Sequence, residues 1–258
     1  MEVTDQLYRN VNIPDAPQRI ISLAPPITEL LMDLGLEEYL KGRTRFCIHP
    51  EGQINKVPVI GGVMGLNFHE IEKIKPDLIL ASKEENARGE IRELGKEFPV
   101  WVSDVHNLKD ALSMIQSIGS ICNRNEKALT LSQQIEEAFN TLDHIPENVV
   151  KAAYLIWKNP LYTINRDTFA HDMLKRCGIE NVFADKQEPY PIISEKEIRN
   201  KKPDYIFLPS EPYNFKEIDF NAFKKTFLQM EIKRVEGEYF TWYGSRLLSA
   251  PYYFKQLF

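Results

Sequence analysis

The sequence predicts an α/β protein of two Rossmann-like lobes, each around a central parallel sheet, joined by a long helix. Three observations carry this expectation. Short β-branched runs alternate with amphipathic helical stretches along most of the chain, the pattern of strands buried on both faces and linked through helices. About 35 residues in the middle, Leu108 to Leu142, contain no proline, one glycine and many helix formers. A segment of the first half also recurs in the second at an offset of 127 residues.

The elements follow in order. Arg19 to Ala24 (RIISLA) is a β-branched run stopped by Pro25-Pro26, and Thr28 to Leu36 carries a helical apolar stripe ended by Gly35. Val57 to Ile60 and Asp77 to Ala81 are further buried strands, and Glu85 to Phe98 is a polar-faced helix leading into the strand Val100 to Val102. The middle stretch divides into two helices with a break near Cys122-Asn123. The second, Asn125 to about Leu142, would be ~27 Å long at ~1.5 Å per residue, and Pro146 ends it. Alternation resumes with the strand Ala152 to Trp157, the helix Thr168 to Cys177, the strand Asp204 to Leu208 and a last helix from Ser245. The expected division is a lobe over 1–122, a linking helix over 123–146 and a second lobe over 147–258.

The recurrence is specific in its chemistry. Ile74 to Leu80 (IKPDLIL) returns as Lys201 to Phe207 (KKPDYIF), and the same offset superimposes Glu70 and Ile71 on Glu197 and Ile198, and Asn67 on Ser194. Each copy reads as a capped helix, with Asn67 or Ser194 as N-cap and Glu70 or Glu197 at the third helical position. Pro-Asp then leads into a buried strand. Such repetition at a domain-sized offset implies two lobes of like architecture.

Composition narrows the function classes. With 43% hydrophobic and 27% charged residues and a net charge of -5, the chain reads as globular. Its charges are interspersed, and without a basic stripe or arm it is not expected to bind nucleic acid. The apolar runs fall far short of the ~20 residues that span a bilayer. The first residues, Met-Glu-Val-Thr-Asp-Gln, have neither a basic nor an apolar leader region, so no export signal is read in the chain as written. Cys47, Cys122 and Cys177 are odd in number and widely spaced, which excludes a disulfide framework and favours free buried thiols.

Catalytic signatures are absent. Gly119-Ser120 and Gly244-Ser245 sit in no nucleophile elbow, and Gly61-Gly62-x-x-Gly65 lacks the Lys and Ser/Thr of a phosphate loop. The histidines His49, His69, His106, His144 and His171 never take metal-ligand spacings, so no metal is expected. His69 and His144 read as solvated, and His171 as a surface helix residue.

Candidate binding residues gather where strands end, since ligands of open α/β sheets lie beyond the carboxyl ends of the strands. Arg43 to Pro50 (RTRFCIHP) supplies Arg45, Phe46, Cys47 and His49, and the glycine-rich loop supplies Met64. Trp157 and Tyr162 flank the turn at Asn159-Pro160, and Tyr190 stands between two prolines. Tyr239 to Arg246 (YFTWYGSR) adds Trp242, Tyr243 and Arg246. Rings with polar handles suit a planar or macrocyclic ligand. A cation near a helix start opposes the helix dipole, so Arg246 is expected to answer a ligand anion or an interlobe partner.

The motifs Arg19 to Pro25 with Thr28-Glu29, Gly61 to Asn67 (GGVMGLN), Lys75-Pro76-Asp77-Leu78-Ile79, Asp167-Thr168-Phe169, Gly178 to Phe183 (GIENVF) and Pro203-Asp204 occur in a meaningful order and spacing. Together they resemble the periplasmic binding proteins with a helical backbone, which serve importers of cobalamin, ferric siderophores and haem. The resemblance implies two lobes on one stiff helix, limited hinge motion and a cleft between the lobes that takes a corrinoid or ferric chelate. It further implies no catalysis, no cofactor beyond the bound ligand, a monomer, an ABC permease as partner, and a periplasmic or cell-envelope location. Family members often dock on the permease through one glutamate per lobe. Those places hold His69 and Lys196 here, with Glu70 and Glu197 one residue later. Val63 and Ser82 stand where pocket rings are expected, while Tyr190 keeps an aromatic.

Two other readings remain open at this level. With no leader on Met1, the chain could be a cytoplasmic binding or sensing protein of the same fold. The Cys47-x-His49 spacing is the sole support for a hydrolase or metalloenzyme.

Overall fold

The computed structural model describes residues 1–142 and 149–257, so Pro146 and His144 lie outside the described residues. The chain forms two compact units. The first comprises Met1–Val105, Lys109–Glu136 and Trp242–Leu248; the second comprises His106–Leu108, Glu137–Thr241 and Ser249–Phe258.

The first unit runs through β1 (Glu2–Thr4), β2 (Asn10–Asn12), β3 (Ile20–Ser22), α1 (Pro25–Asp33), β4 (Leu40–Arg43), α2 (Phe68–Ile74), β5 (Leu78–Ser82), α3 (Arg88–Leu94), β6 (Val100–Ser103), α4 (Leu108–Ile121) and α5 (Asn125–Asn140). Strands β1 and β2 make an antiparallel hairpin, and the others form a parallel sheet in the order β4-β3-β5-β6. Ile20, Ile21 and Leu78 through Ala81 are fully buried, as a sheet covered on both faces requires. Gly119 lets α4 and α5 touch, since a Cβ there would lie 2.2 Å from that of Ala128. Helix α5 stays with the first unit through Glu136, whereas the sequence set 123–146 apart as a linker.

The second unit holds β7 (Val150–Trp157), β8 (Leu161–Thr163), α6 (Phe169–Arg176), β9 (Ile179–Asn181), β10 (Ile192–Ile193), α7 (Glu195–Lys201), β11 (Tyr205–Pro209), α8 (Glu217–Thr226), β12 (Glu231–Val235), α9 (Glu238–Thr241) and α10 (Ala250–Phe254). Its sheet runs β10-β8-β7-β11-β12, with β9 also on β7. This sheet is mixed rather than parallel. Strands β7, β9, β11 and β12 are parallel, but the turn at Asn159-Pro160 folds β8 back antiparallel on β7, and β10 follows it.

The sequence repeat is a structural repeat. The side chain of Asn67 accepts from the Glu70 amide to start α2, and a full capping box of Ser194 and Glu197 starts α7. Both helices end on a left-handed lysine, Lys75 at φ 51° and Lys202 at φ 48°. The aspartate after each Pro then reaches the neighbouring parallel strand. Asp77 accepts from the amides of Gln18 and Arg19 at 2.8 Å, and Asp204 from the amide of Lys151 at 2.8 Å. The Asp77 and Asp204 amides donate back to the carbonyls of Arg19 and Lys151.

Several elements differ from expectation. Val57 to Ile60 is not a strand. It meets Arg43 through one isolated bridge and two backbone bonds, and Pro58 has no N–H with which to extend the ladder. The helix expected from Glu85 is shortened to α3, because Asn86 turns its side chain back onto the end of β5. From Ser245 the chain makes a 3₁₀ turn to Leu248 before α10.

Candidate functional site

In the first unit the carboxyl ends of β3, β4 and β5 are tied together by side chains. Thr28, in the first turn of α1, places its hydroxyl 2.7 Å from Ser22 Oγ and 3.0 Å from Cys47 Sγ. Arg43 is buried, and its guanidinium donates to the carbonyls of Ile54, Val57, Thr44 and Cys47, which folds the following loop over the end of β4. Asn86 accepts from the Ser82 amide at 2.8 Å and donates to the Leu23 and Val63 carbonyls. One amide side chain thereby joins two strand ends to the glycine-rich loop.

That loop is shaped by close backbone approach. A Cβ on Gly61, at φ +128°, would fall 2.6 Å from the Gly65 carbonyl. The amides of Gly65 and Leu66 donate to the Glu90 carboxylate, leaving Met64 at the tip, 67% exposed.

The segment Trp242–Leu248 closes this end of the unit. Tyr243 donates to Ser82 Oγ at 2.7 Å and lies 3.3 Å from Glu85, and burial pushes its phenol well above the ordinary range. Arg246 grips Glu29 with a two-pronged contact of 2.6 and 3.0 Å and lies over the Trp242 ring at 4.7 Å. The Trp242 ring meets His49 edge-on at 5.4 Å. Burial raises the Glu29 carboxyl, and the bond and charge of Arg246 partly offset it. The anion expected opposite Arg246 is thus an internal glutamate of the same unit.

Of the residues expected here, Trp242, Tyr243 and Cys47 are buried. Burial pushes the Cys47 thiol up, so it is neither a thiolate nor an exposed nucleophile. Arg45, Phe46 and Met64 are exposed and His49 is half-buried. Ser82 and Val63, without rings, serve as the anchors of Tyr243 and Asn86.

In the second unit, register brings three expected residues together. Trp157 pairs with Tyr162 across the β7–β8 hairpin, Tyr162 pairs with Ile192, and Tyr190 lies two residues ahead of that strand. Asn165 fixes the approach, donating to the carbonyls of Lys186 and Gln187 while its amide donates to Pro189. Trp157 is 44% exposed and meets Tyr213 edge-on at 5.0 Å, with the Lys158 ammonium 5.5 Å from the same Tyr213 ring. Lys158 also pairs with Asp219. Glu29, Asn86 and Tyr213 were not singled out as site residues. A lone asparagine past a strand end gives no signal until its partners are known, but Thr28-Glu29 lies within a recognised motif.

The two acidic positions are engaged locally. Glu70 pairs with Lys73 at 2.8 Å, which lowers its carboxyl. Glu197 is held at about 2 by Lys186 and by the amide and hydroxyl of Ser194. Among the described residues, no group of three or more His, Cys, Asp or Glu could hold a metal ion, and no helix is long and apolar enough to cross a membrane. The three cysteines are free, Cys47 and Cys122 buried and Cys177 half-buried.

A family model described as periplasmic binding protein matches residues 20–233. The chain belongs to the periplasmic binding protein family. Among relatives of this family, a vitamin B12-binding protein of Pectobacterium carotovorum is 26% identical over 239 residues, covering 91% of this chain and 86% of that one. One from Yersinia pestis is 29% identical over 194 residues, covering 74% and 69%. The periplasmic vitamin B12 binding protein of Vibrio cholerae superposes with a TM-score of 0.78 at 21% identity, over 94% of this chain and 98% of that one. A periplasmic haem-binding protein of Roseiflexus gives 0.78 at 18% identity, over 91% and 95%. These structures share the two-lobed α/β fold with the present family member.

Proposed function

We propose that this protein is the non-catalytic substrate-binding component of an ATP-driven importer, and that it takes a metal-chelate ligand, a cobalamin-like corrinoid or a ferric chelate, at the strand ends that carry its exposed rings. The observation that carries the reading is the presence in each unit of exposed rings beside the carboxyl ends of its strands, Phe46 in the first and Trp157 in the second, in a chain of this family. Relatives named for vitamin B12 and haem support a flat macrocyclic ligand. Arg45, His49 and Met64 in the first unit and Tyr162 and Tyr190 in the second would add further ligand contacts, while the buried Trp242 and Tyr243 and the Glu29-paired Arg246 would act through the shape of their segment. Cys47 would act only through the shape of its loop.

The test is titration of the purified protein with cyanocobalamin, haemin and a panel of ferric siderophores, following tryptophan fluorescence. Saturable quenching by one class is expected. A flat response to all of them would remove the transport reading.

A second reading, a binding or sensing protein that works without a permease, is favoured by one observation. The carboxylates offered for docking, Glu70 and Glu197, already pair with Lys73 and Lys186. Pull-down of a membrane permease by the wild type, lost in Glu70→Ala with Glu197→Ala, would decide for transport.

A further inference from the structure

Three arginines stand around the strand ends of the first unit, and their surroundings differ. Arg43 spends its donors on four loop carbonyls, and Arg246 spends its own on Glu29. The Arg45 guanidinium has no ion pair and no hydrogen-bonded carboxylate among the described residues. Its backbone is tied to the glycine-rich loop, and its side chain lies near a ring. The Arg45 amide donates to the Gly61 carbonyl at 2.9 Å, and its guanidinium carbon lies 5.1 Å from the Phe46 ring centroid. Gly62 lies beside it without a side chain, and a Cβ there would fall 3.1 Å from Nη2 and 3.4 Å from the guanidinium carbon.

The same two loops carry exposed apolar side chains, Phe46 46%, Ile48 53%, Val59 48% and Met64 67% exposed. The planar fork of a guanidinium matches a carboxylate. Exposed apolar side chains on the same loops as a guanidinium without a carboxylate partner among the described residues suit a ligand of opposite pattern, a large apolar body carrying an acid at its edge.

We infer that Arg45 is the anion-reading residue of the ligand surface, and that the protein selects macrocyclic chelates bearing a free carboxylate over their neutral amides. This rests on the binding function proposed above and adds the chemical feature that such binding would discriminate.

The test compares cyanocobalamin with the monocarboxylic acid made by hydrolysing one of its amide side chains, and adds haemin, whose carboxylates are free. Binding is followed by tryptophan fluorescence at low and high salt, in the wild type, Arg45→Gln and Arg45→Lys. The acid should bind about tenfold tighter than the amide, the worth of one charge-assisted contact. That preference should vanish in Arg45→Gln, return in part in Arg45→Lys and shrink with salt. Haemin should lose about tenfold in Arg45→Gln. Equal affinity for acid and amide, or haemin binding untouched by Arg45→Gln, overturns the assignment while leaving chelate binding standing. If the wild type binds none of the probes, the binding reading itself falls and takes this inference with it.

Discussion

Glu29 in α1 and Arg246, 217 positions later in the chain, form a two-pronged ion pair in which both side chains are largely shielded, 13% and 15% exposed. Removing one member strands the other charge, while removing both need not. Glu29→Gln should cost about 2–3 kcal/mol, discounted from a fully buried pair, and Glu29→Gln with Arg246→Met should recover most of it. Urea unfolding of the two variants checks this.

The same pair sets a pH signature. The folded protein raises the Glu29 carboxyl above its ordinary 4.5, so it holds that proton more tightly than the unfolded chain does. The site therefore favours folding below pH 4.5, and this contribution fades as pH rises through the folded value. Glu29→Gln should remove that component. The wild type's advantage in melting temperature over the variant should narrow in a regular way from pH 4 to 7, and a constant difference would refute the sign.

Asp77 and Asp204 make the same strand-to-strand contact with different numbers of bonds, two amides for Asp77 and one for Asp204. Asp77→Ala should cost about 2 kcal/mol and Asp204→Ala about 1 kcal/mol, following the bonds lost. Chemical denaturation monitored in each unit should show the larger loss in the first.

Gly244 lies against α1, where a Cβ would come within 2.3 Å of the Pro26 carbonyl. Backbone cannot yield as a side-chain tip can, so Gly244→Ala should displace the Trp242–Leu248 segment. A loss of about 3 kcal/mol is expected, with a matching fall in melting temperature.

Cys47→Ala should weaken the fold by about 1 kcal/mol, through the lost sulfur contacts with Thr28 and Thr44, and leave ligand affinity unchanged. A marked fall in affinity without loss of stability would return Cys47 to the binding surface.

Much of the fold was legible because it rests on local chemistry. The Asn67 and Ser194 caps, the Pro-Asp steps and the apolar runs of β3 and β5 each declare themselves within a few residues. What escaped depends on distant partners. β8 and β10 are too short to show a period, and β12, Glu231–Val235, has only two apolar residues, Ile232 and Val235, inside a charged stretch. The site divided in the same way. Exposed rings such as Phe46 and Trp157 could be nominated from the sequence, but Arg246 could not be told from Arg45, because only folding shows which one Glu29 has already claimed.

The return of Trp242–Leu248 to the first unit has a consequence for synthesis. The ribosome must pass residue 246 before Ser82 and Glu29 can meet Tyr243 and Arg246. The unit that begins first therefore waits until most of the second has been made, and nascent chains stalled short of residue 242 should expose its open strand ends to chaperones and proteases.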